Sequence, residues 1–234
     1  MFCFRRDPDA RLGVGVAFTT ATVDVGDGRD REGRDADLAR VSAEIGVPVA
    51  IVSQVHGADV YVVESLGDAP VQDLTHQQAD ALVATQPGVA VGVRVADCVP
   101  ICLATEDGAA VAAVHAGRRG LLVGVIGATV ARLTEVTDAP VHAWVGPHIC
   151  AQCYELPEDL AAETSGLLGI APSHTRWGTP SLDLGGAAQR QLDAAGVTSE
   201  FVGGCTHEEA SLHSYRRDGA AAGRLLGAVW MGRP

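Results

Sequence analysis

The sequence predicts an α+β fold with mixed, largely antiparallel β-structure. Apolar β-branched runs joined by short turns indicate hairpins, and segments with helical spacing lie among them. No repeat or low-complexity linker divides residues 1–234, and 47% of the residues are hydrophobic. A chain of this length can bury a sizeable core, so we expect a single domain over the whole sequence.

The first predicted helix follows a polar segment. Residues 24–37 are rich in charge and are expected to form a loop. Asp35 or Asp37 can cap a helix that runs to about Ile45, where Gly46 marks the C-terminal end.

A β-branched run over residues 49–55 leads to His56-Gly57, and residues 58–64 resume a strand-like pattern. This stretch predicts either two strands or one strand bent at Gly57.

The clearest hairpin lies in the middle of the chain. Residues 99–104 and 109–115 flank the turn signal Glu106-Asp107-Gly108. Cys98 precedes the outgoing strand and His115 ends the returning one. Because antiparallel strands of equal length bring these ends together, we expect the two side chains to be neighbours.

The other elements follow the same patterns. Strands are predicted over 88–95, 141–145, 201–202 and 225–231, and helices over 121–133, 157–168 and 187–195. Hairpins and crossovers are mixed, which favours an α+β fold over a doubly wound parallel one.

Composition narrows the classes of partner and compartment. The net charge of −12 argues against nucleic acid or an anionic membrane as partner. No stretch approaches the roughly 20 apolar residues of a membrane helix, and the N-terminus lacks the apolar core of a signal peptide. We expect a cytoplasmic protein, either a monomer or a small homo-oligomer, in which the six cysteines bind metal or stay reduced.

Three soft or borderline metal ligands end strand-like runs: His56, Cys98 and His115. A catalytic zinc site uses three protein ligands and keeps its fourth position open. From the residues alone, a structural role is favoured for each, because a cysteine in an apolar run is usually inert core and a histidine at a strand end is more often a hydrogen-bonded structural residue. Cys98 and His115 could also form the nucleophile–base dyad of a cysteine hydrolase.

Polar residues near these ligands are candidates for catalysis and binding. Asp97 can orient a metal-bound histidine or accept a proton from bound water, or it can be a turn residue. The chain has no lysine, so an anionic group must be held by arginine, backbone N–H groups or metal. Arg119 and Arg217 are candidates for holding phosphate, although both lie in segments that could be solvated surface.

Cys150-Ala-Gln-Cys153 allows three interpretations. It can be a redox motif, part of a second metal site, or a pair of structural thiols. The sequence favours structural thiols.

Taken in order, several segments resemble the laccase-domain family, also known as the YfiH-type polyphenol oxidases or purine nucleoside phosphorylases. The matching segments are QVHGADV (54–60), ADALVAT (79–85), RVADCVPICL (94–103), AAVHAGRRG (112–120), VGPHICAQCYEL (145–156), CT (205–206) and SYRRDG…GR (214–224).

The resemblance implies a single-domain layered α/β sandwich with mixed sheets, and zinc on His56, Cys98 and His115. It implies phosphorolysis of adenosine, inosine and 5′-methylthioadenosine, with adenosine deaminase activity besides. Asp97, Arg119 and Cys98 are then the expected catalytic residues. Arg119, Arg217, Tyr215 and Gln54 are the expected contacts to nucleoside and phosphate.

Two other functions stay open. Copper-dependent phenol oxidation is also attributed to the family, so copper is a possible metal. A non-enzymatic zinc protein is the other, because the chain departs from the family pattern. Arg118 stands where the family usually has Trp, and Ala21 replaces an Arg beside a shortened N-terminal loop.

Overall fold

The computed structural model describes residues 1–9, 12–28, 30–63 and 69–232. Two six-stranded mixed sheets pack face to face, and helices cover their outer faces. This confirms the α+β class and the layered sandwich of mixed sheets.

The strands are β1 (Phe2–Arg6), β2 (Val14–Thr19), β3 (Val49–Ser53), β4 (Val60–Val63), β5 (Val71–Gln78), β6 (Ala81–Ala84), β7 (Ala90–Val95), β8 (Val99–Thr105), β9 (Val111–Ala116), β10 (Val141–Val145), β11 (Ser173–His174), β12 (Pro180–Ser181), β13 (Thr198–Phe201) and β14 (Leu225–Met231). The helices are α1 (Arg31–Ile45), α2 (Arg118–Leu122), α3 (Val125–Thr134), α4 (Glu158–Leu168), α5 (Leu184–Ala194) and α6 (Tyr215–Asp218).

The first sheet has the strand order β1-β2-β14-β7-β3-β5, and the second has β13-β10-β8-β9-β6-β4. In each sheet three of the five strand pairings are antiparallel, so the sheets are mixed but largely antiparallel. β11 and β12 form a separate small ribbon.

The inner strands of the sandwich are apolar on both faces because both of their faces are covered. In β8, Val99, Ile101 and Leu103 pack in the core shared with the helices of the second sheet. Cys102 and Ala104 alternate with them and pack in the core between the two sheets. This is why β8 and β9 appear in the sequence as continuous apolar runs.

The chain passes from one sheet to the other several times, and two of these crossings lie next to each other. β3 belongs to the first sheet and β4 to the second, so residues 54–59 form the first crossing. β5 and β6 are likewise in different sheets, and Ala79 and Asp80 form another crossing. The segment around Gly57 therefore contains two strands rather than one bent strand.

Two helix boundaries differ from the sequence prediction. α1 begins at Arg31, because Asp30 caps it by accepting a hydrogen bond from the N–H of Gly33 at 2.8 Å. The prediction of a loop to residue 37 and a cap at Asp35 or Asp37 was therefore wrong. α5 likewise begins at Leu184, capped by Asp183, rather than at residue 187.

The single helix predicted over 121–133 is two helices, α2 and α3. The break is at Gly124, which has a left-handed backbone with φ 82°. β1, β2, β5, β6, β11 and β12 were not predicted from the sequence, and the strand predicted over 201–202 begins earlier, as β13. In β5 every residue is half-buried or exposed, and its polar composition hides the strand.

Contact between the sheets predicts the stability of one variant. A Cβ at Gly146, just after β10, would overlap the Phe18 ring of β2. We expect Gly146→Ala to lower the free energy of unfolding by about 1–3 kcal/mol, because overpacking displaces side chains in a dense core. Denaturant unfolding measures this.

The control is Gly166→Ala in α4, where a Cβ would meet nothing within 4 Å. An exposed helical glycine should gain up to about 1 kcal/mol on this change. Equal stabilities of the two variants would contradict the packing of Phe18 against Gly146.

Candidate metal centre

The structure brings His56, Cys98 and His115 together at the ends of the two sheets. One ligand atom from each lies within 4.8 Å of those of the other two. The rings of His56 and His115 meet edge to face, with centroids 4.7 Å apart. The three residues form one cluster although up to 59 positions separate them in sequence.

The register of the β8–β9 hairpin places two of the three ligands. Pro100 pairs with His115 and Val99 with Ala116, so Cys98 comes opposite Gly117. A Cβ at Gly117 would lie 2.9 Å from Cys98 Sγ and 3.0 Å from His56 Cδ2. Gly117 therefore leaves the space in which the thiol and the imidazole meet.

Asp80 holds the other side of the cluster. Its carboxylate accepts hydrogen bonds from the backbone N–H groups of Val55, His56 and Gly57, at 3.1, 2.9 and 2.6 Å. It also contacts Nδ1 of His115 at 2.7 Å. The Asp80 side chain is fully buried, so these four partners replace its water.

Asp80 was not predicted from the sequence. Asp97 was the residue expected to orient a histidine, whereas the carboxylate that contacts His115 is that of Asp80. Asp80 stands at the start of the ADALVAT match, but nothing in its spacing linked it to His56 or His115. Hydrogen bonding at Nδ1 leaves Nε2 of His115 for a metal, the usual arrangement of a ligating histidine.

The ionisable side chains of the cluster shift one another's pKa. Burial opposes ionisation of Cys98, but His115 and His56 outweigh it and lower the pKa of the thiol to about 6. Burial alone would lower the pKa of His115, but the Cys98 thiolate and Asp80 raise it to about 9. Asp80 itself is buried, and its contacts to His115 and Gly57 hold the pKa of its carboxyl below the usual range.

These residues fit a zinc ion. Two imidazoles and one thiolate are ligands that zinc accepts, and three protein ligands leave a fourth position open. Cys98 Sγ and His56 Nε2 are 4.0 Å apart, close to the roughly 3.6 Å expected across a tetrahedral zinc site.

A cavity of about 670 Å³ opens on the cluster. This volume is in the range of sites for small molecules, about 300–1,000 Å³. Its wall includes Gln54, Asp97 and Tyr215 from the predicted site, together with Arg94, Tyr154, Arg216 and Arg224.

Asp97 has a left-handed backbone, with φ 90°, directly before Cys98. Its carboxylate accepts hydrogen bonds from the Thr206 hydroxyl and the Arg216 N–H, both at 2.6 Å. It lines the pocket, and its catalytic role stays a prediction. Gln54 also lines the pocket, and its amide exchanges two 2.8 Å hydrogen bonds with the backbone of Arg94.

Arg119 and Arg217 lie apart from the cavity wall in the described part of the chain. Arg119 is exposed on α2. The guanidinium of Arg217 donates to the carbonyls of Thr206 and Leu212, at 2.8 and 2.7 Å, and so braces the preceding loop. The arginine that faces the cavity from this segment is its neighbour, Arg216.

Arg216 combines a cation with an aromatic surface. Its guanidinium lies over the ring of Tyr154, 5.0 Å from the centroid, and donates to the Glu155 carbonyl at 2.7 Å. Arg224 lies in the same way against Tyr215, at 5.7 Å. Two arginine–tyrosine pairs therefore line the pocket that contains the metal ligands.

A two-sheet sandwich with a His–Cys–His cluster at the base of a small-molecule pocket defines a protein with a candidate catalytic metal site. Comparison with known proteins gives the family. The profile described as "Multi-copper polyphenol oxidoreductase laccase" matches residues 15–232. The chain belongs to this laccase-domain family.

Named relatives support the same grouping. A purine nucleoside phosphorylase of Streptomyces coelicolor is 42% identical, over 78% of this chain and 75% of its own. Another, of Streptomyces griseus, is 38% identical over 96% of this chain and 88% of its own.

A solved structure from Neisseria meningitidis has a TM-score of 0.79, with 30% identity, and the match covers 98% of this chain and 99% of that one. A YfiH structure from Bacillus licheniformis has a TM-score of 0.80 at 22% identity, over 93% and 92% of the two chains, and so supports the fold alone.

Every helix within the described ranges is too short or too polar to cross a lipid bilayer.

Asp80 is expected to strengthen the binding of zinc at this site. We expect Asp80→Asn to weaken zinc binding by about 10- to 100-fold, because the amide cannot accept from three N–H groups and orient His115 together. Competition with a chromogenic chelator measures the affinity.

The matched control is Asp59→Asn, an exposed residue of the same crossing loop. It removes the same charge and should leave affinity within about twofold, the scale of a screened surface charge. If both variants bind zinc as tightly as the parent, Asp80 does not organise the ligands.

Proposed function

We propose that this protein is a zinc-dependent purine nucleoside phosphorylase. Its substrates would be adenosine, inosine and 5′-methylthioadenosine together with phosphate, and the same site would deaminate adenosine. The main support is the convergence of the His56–Cys98–His115 cluster and two arginine–tyrosine pairs on one cavity of about 670 Å³. The names of the relatives from both Streptomyces species support the phosphorylase part of this proposal.

The wall of the cavity suits the two halves of the reaction. Phosphate is a dianion or monoanion near neutral pH and needs cationic donors. Arg216 and Arg224 line the cavity and can provide them. The rings of Tyr154 and Tyr215 offer flat surfaces against which a purine can stack. The site can therefore hold a base and an anion side by side.

Phosphorolysis requires a phosphate oxygen to attack C1′ of the ribose while the bond from C1′ to the purine nitrogen breaks. The bonding electrons leave with the base, which takes up a proton. In this scheme Arg216 positions the phosphate and the tyrosine rings hold the departing base in line. His56, Cys98 and His115 would hold a zinc ion, which would supply a Lewis acid to the reaction.

Deamination replaces the amino group at C6 of adenine with oxygen from water and releases ammonia. This reaction needs a group that moves a proton from the water to the leaving amine. Asp97 is our candidate, because its carboxylate lines the pocket and is held in place by Thr206 and the N–H of Arg216.

A cysteine hydrolase is the second candidate. The lowered pKa of Cys98 and the raised pKa of His115 describe a thiolate–imidazolium pair in the metal-free site. Because metal and nucleophile would use the same sulfur atom, removal of the metal has opposite effects under the two proposals.

The proposed reaction requires both phosphate and the zinc of this cluster. Zinc-loaded protein incubated with each nucleoside should release free base and ribose 1-phosphate only when phosphate is present, as measured by liquid chromatography. Cys98→Ala should lose turnover and the zinc of the His56–Cys98–His115 cluster, whereas Cys3→Ala, which changes an exposed thiol of β1, should keep both.

Other results would exclude the scheme. Turnover that survives in metal-free Cys98→Ala protein would exclude zinc at this cluster as the catalyst. Activity that survives chelation but is lost on alkylation of Cys98 would favour the cysteine hydrolase. Base release without phosphate would indicate hydrolysis.

Arg216 provides a separate prediction. We expect Arg216→Ala to raise KM for phosphate by about 10- to 100-fold. The reason is that the variant loses a charge-assisted hydrogen bond, which contributes about 1.5–3 kcal/mol. The backbone N–H that bonds Asp97 stays in this variant. Steady-state kinetics with varied phosphate measures the change.

Arg132→Ala, an exposed change on α3, is the control and should leave KM unchanged. Arg119→Ala tests the position predicted from the sequence. A large rise in KM for Arg119→Ala, with none for Arg216→Ala, would indicate that phosphate binds at α2 and would contradict our assignment.

A further inference from the structure

A second cluster of metal-ligand side chains lies outside the cavity of the first site. Cys150, Cys153, Cys205 and Glu208 each offer one ligand atom, and all four atoms lie within 4.8 Å of one another. Three of the four residues line a separate surface pocket. All three cysteines are free thiols.

We propose that these four residues bind a structural zinc ion. Three thiolates and one carboxylate make a complete set of four protein ligands, which is the mark of a structural rather than a catalytic zinc site. The site adds to the proposed phosphorylase activity and does not depend on it.

The distances suit tetrahedral coordination. Usual bond lengths of zinc to sulfur and to carboxylate oxygen place those two atoms about 3.5 Å apart across a tetrahedron. Oε1 of Glu208 lies 3.4 Å from Cys153 Sγ and 3.9 Å from Cys150 Sγ. Small side-chain rotations would therefore complete the geometry.

The backbone is arranged as a ligand loop. The N–H groups of Cys153 and Tyr154 both donate to the Cys150 carbonyl at 3.0 Å, which closes a tight turn between the two cysteines. The N–H of Cys150 donates to Cys205 Sγ at 3.3 Å. A hydrogen bond from the backbone to sulfur favours a thiolate ligand.

The negative charge of the four ligands and the exposed side of the cluster also suit a bound cation. Four ionised ligands carry four negative charges, which a zinc ion and the guanidinium of Arg176, paired with Glu208, largely offset. Cys153 is buried, whereas Glu208 is exposed, so the cluster has an apolar base and an open side through which an ion can enter.

The zinc would join residues 205–208 to the segment 149–154, whose Ile149 and Tyr154 line the cavity of the first site. Cys205 forms a β-bridge with His148, and the next residue, Thr206, donates its hydroxyl to Asp97. A cross-link from Cys205 and Glu208 to Cys150 and Cys153 therefore fixes Thr206, and through it the backbone before Cys98.

Cobalt titration tests the proposal. The protein is stripped of metal, reduced, and titrated with Co²⁺ in a His56→Ala/Cys98→Ser background, in which the first cluster keeps only one of its three ligands. We expect one equivalent to bind, with thiolate-to-cobalt charge-transfer bands and the intense visible bands of a tetrahedral site. Circular dichroism checks that each variant is folded.

Further variants assign the ligands. Cys153→Ser in this background should abolish the charge-transfer bands, and Cys3→Ser should not. Glu208→Cys, on the exposed side, should strengthen the bands because a fourth thiolate joins three. Glu208→Gln should weaken binding by at least tenfold.

Three results would overturn the proposal. One is folded, reduced protein in this background that binds no Co²⁺ or shows no thiolate bands. The second is an unchanged spectrum in folded Cys153→Ser protein. If Cys153→Ser does not fold, the third decides: a Glu208→Cys spectrum identical to that of the background excludes the cluster. Each result is independent of whether the first site cleaves nucleosides.

Discussion

The candidate metal centre depends on the buried carboxylate of Asp80. The chain crosses between the sheets at residues 54–59 and again at Ala79 and Asp80, and this one side chain ties the two crossings together through three backbone N–H groups. The same oxygens orient His115. A buried carboxylate has no water and must be satisfied by donors from the protein. The hydrogen bonds that satisfy Asp80 are the same ones that join the two crossings and orient His115.

The two loops that supply ligands have strained backbones. His56 and Asp97 are the non-glycine residues with positive φ in the described chain, at 61° and 90°. Such conformations cost of order 1–3 kcal/mol each and persist where surrounding contacts enforce them. Asp80 enforces the first, and Thr206 with the N–H of Arg216 enforces the second. The ligands are therefore held in place by the protein itself, before any metal binds.

Sequence reasoning reached the parts of this site that local patterns determine. The turn at residues 106–108 sets the register of β8 and β9, so Cys98 and His115 could be paired from the hairpin alone. His56 was grouped with them by residue type, but only the family resemblance implied that all three share one site, because His56 arrives from another sheet. Asp80 could not be found, since its partners come from distant segments. Arg216 and Arg217 are adjacent, and only the docking of their loop decides which faces the cavity.

Two features of the cluster distinguish zinc from copper: the side chain available as a fourth ligand, and the cavity that lets a substrate reach the metal. Two histidines and a cysteine also bind copper in electron-transfer sites, where a weak axial methionine is the usual addition. The chain has two methionines; Met231 is buried in the core between the sheets, and Met1 packs beside β2 and α1. Electron-transfer copper needs no substrate cavity, whereas this cluster opens on one. The sequence also lacks the paired His-x-His motifs of multicopper oxidases. These features support the proposal of zinc despite the copper in the family's description.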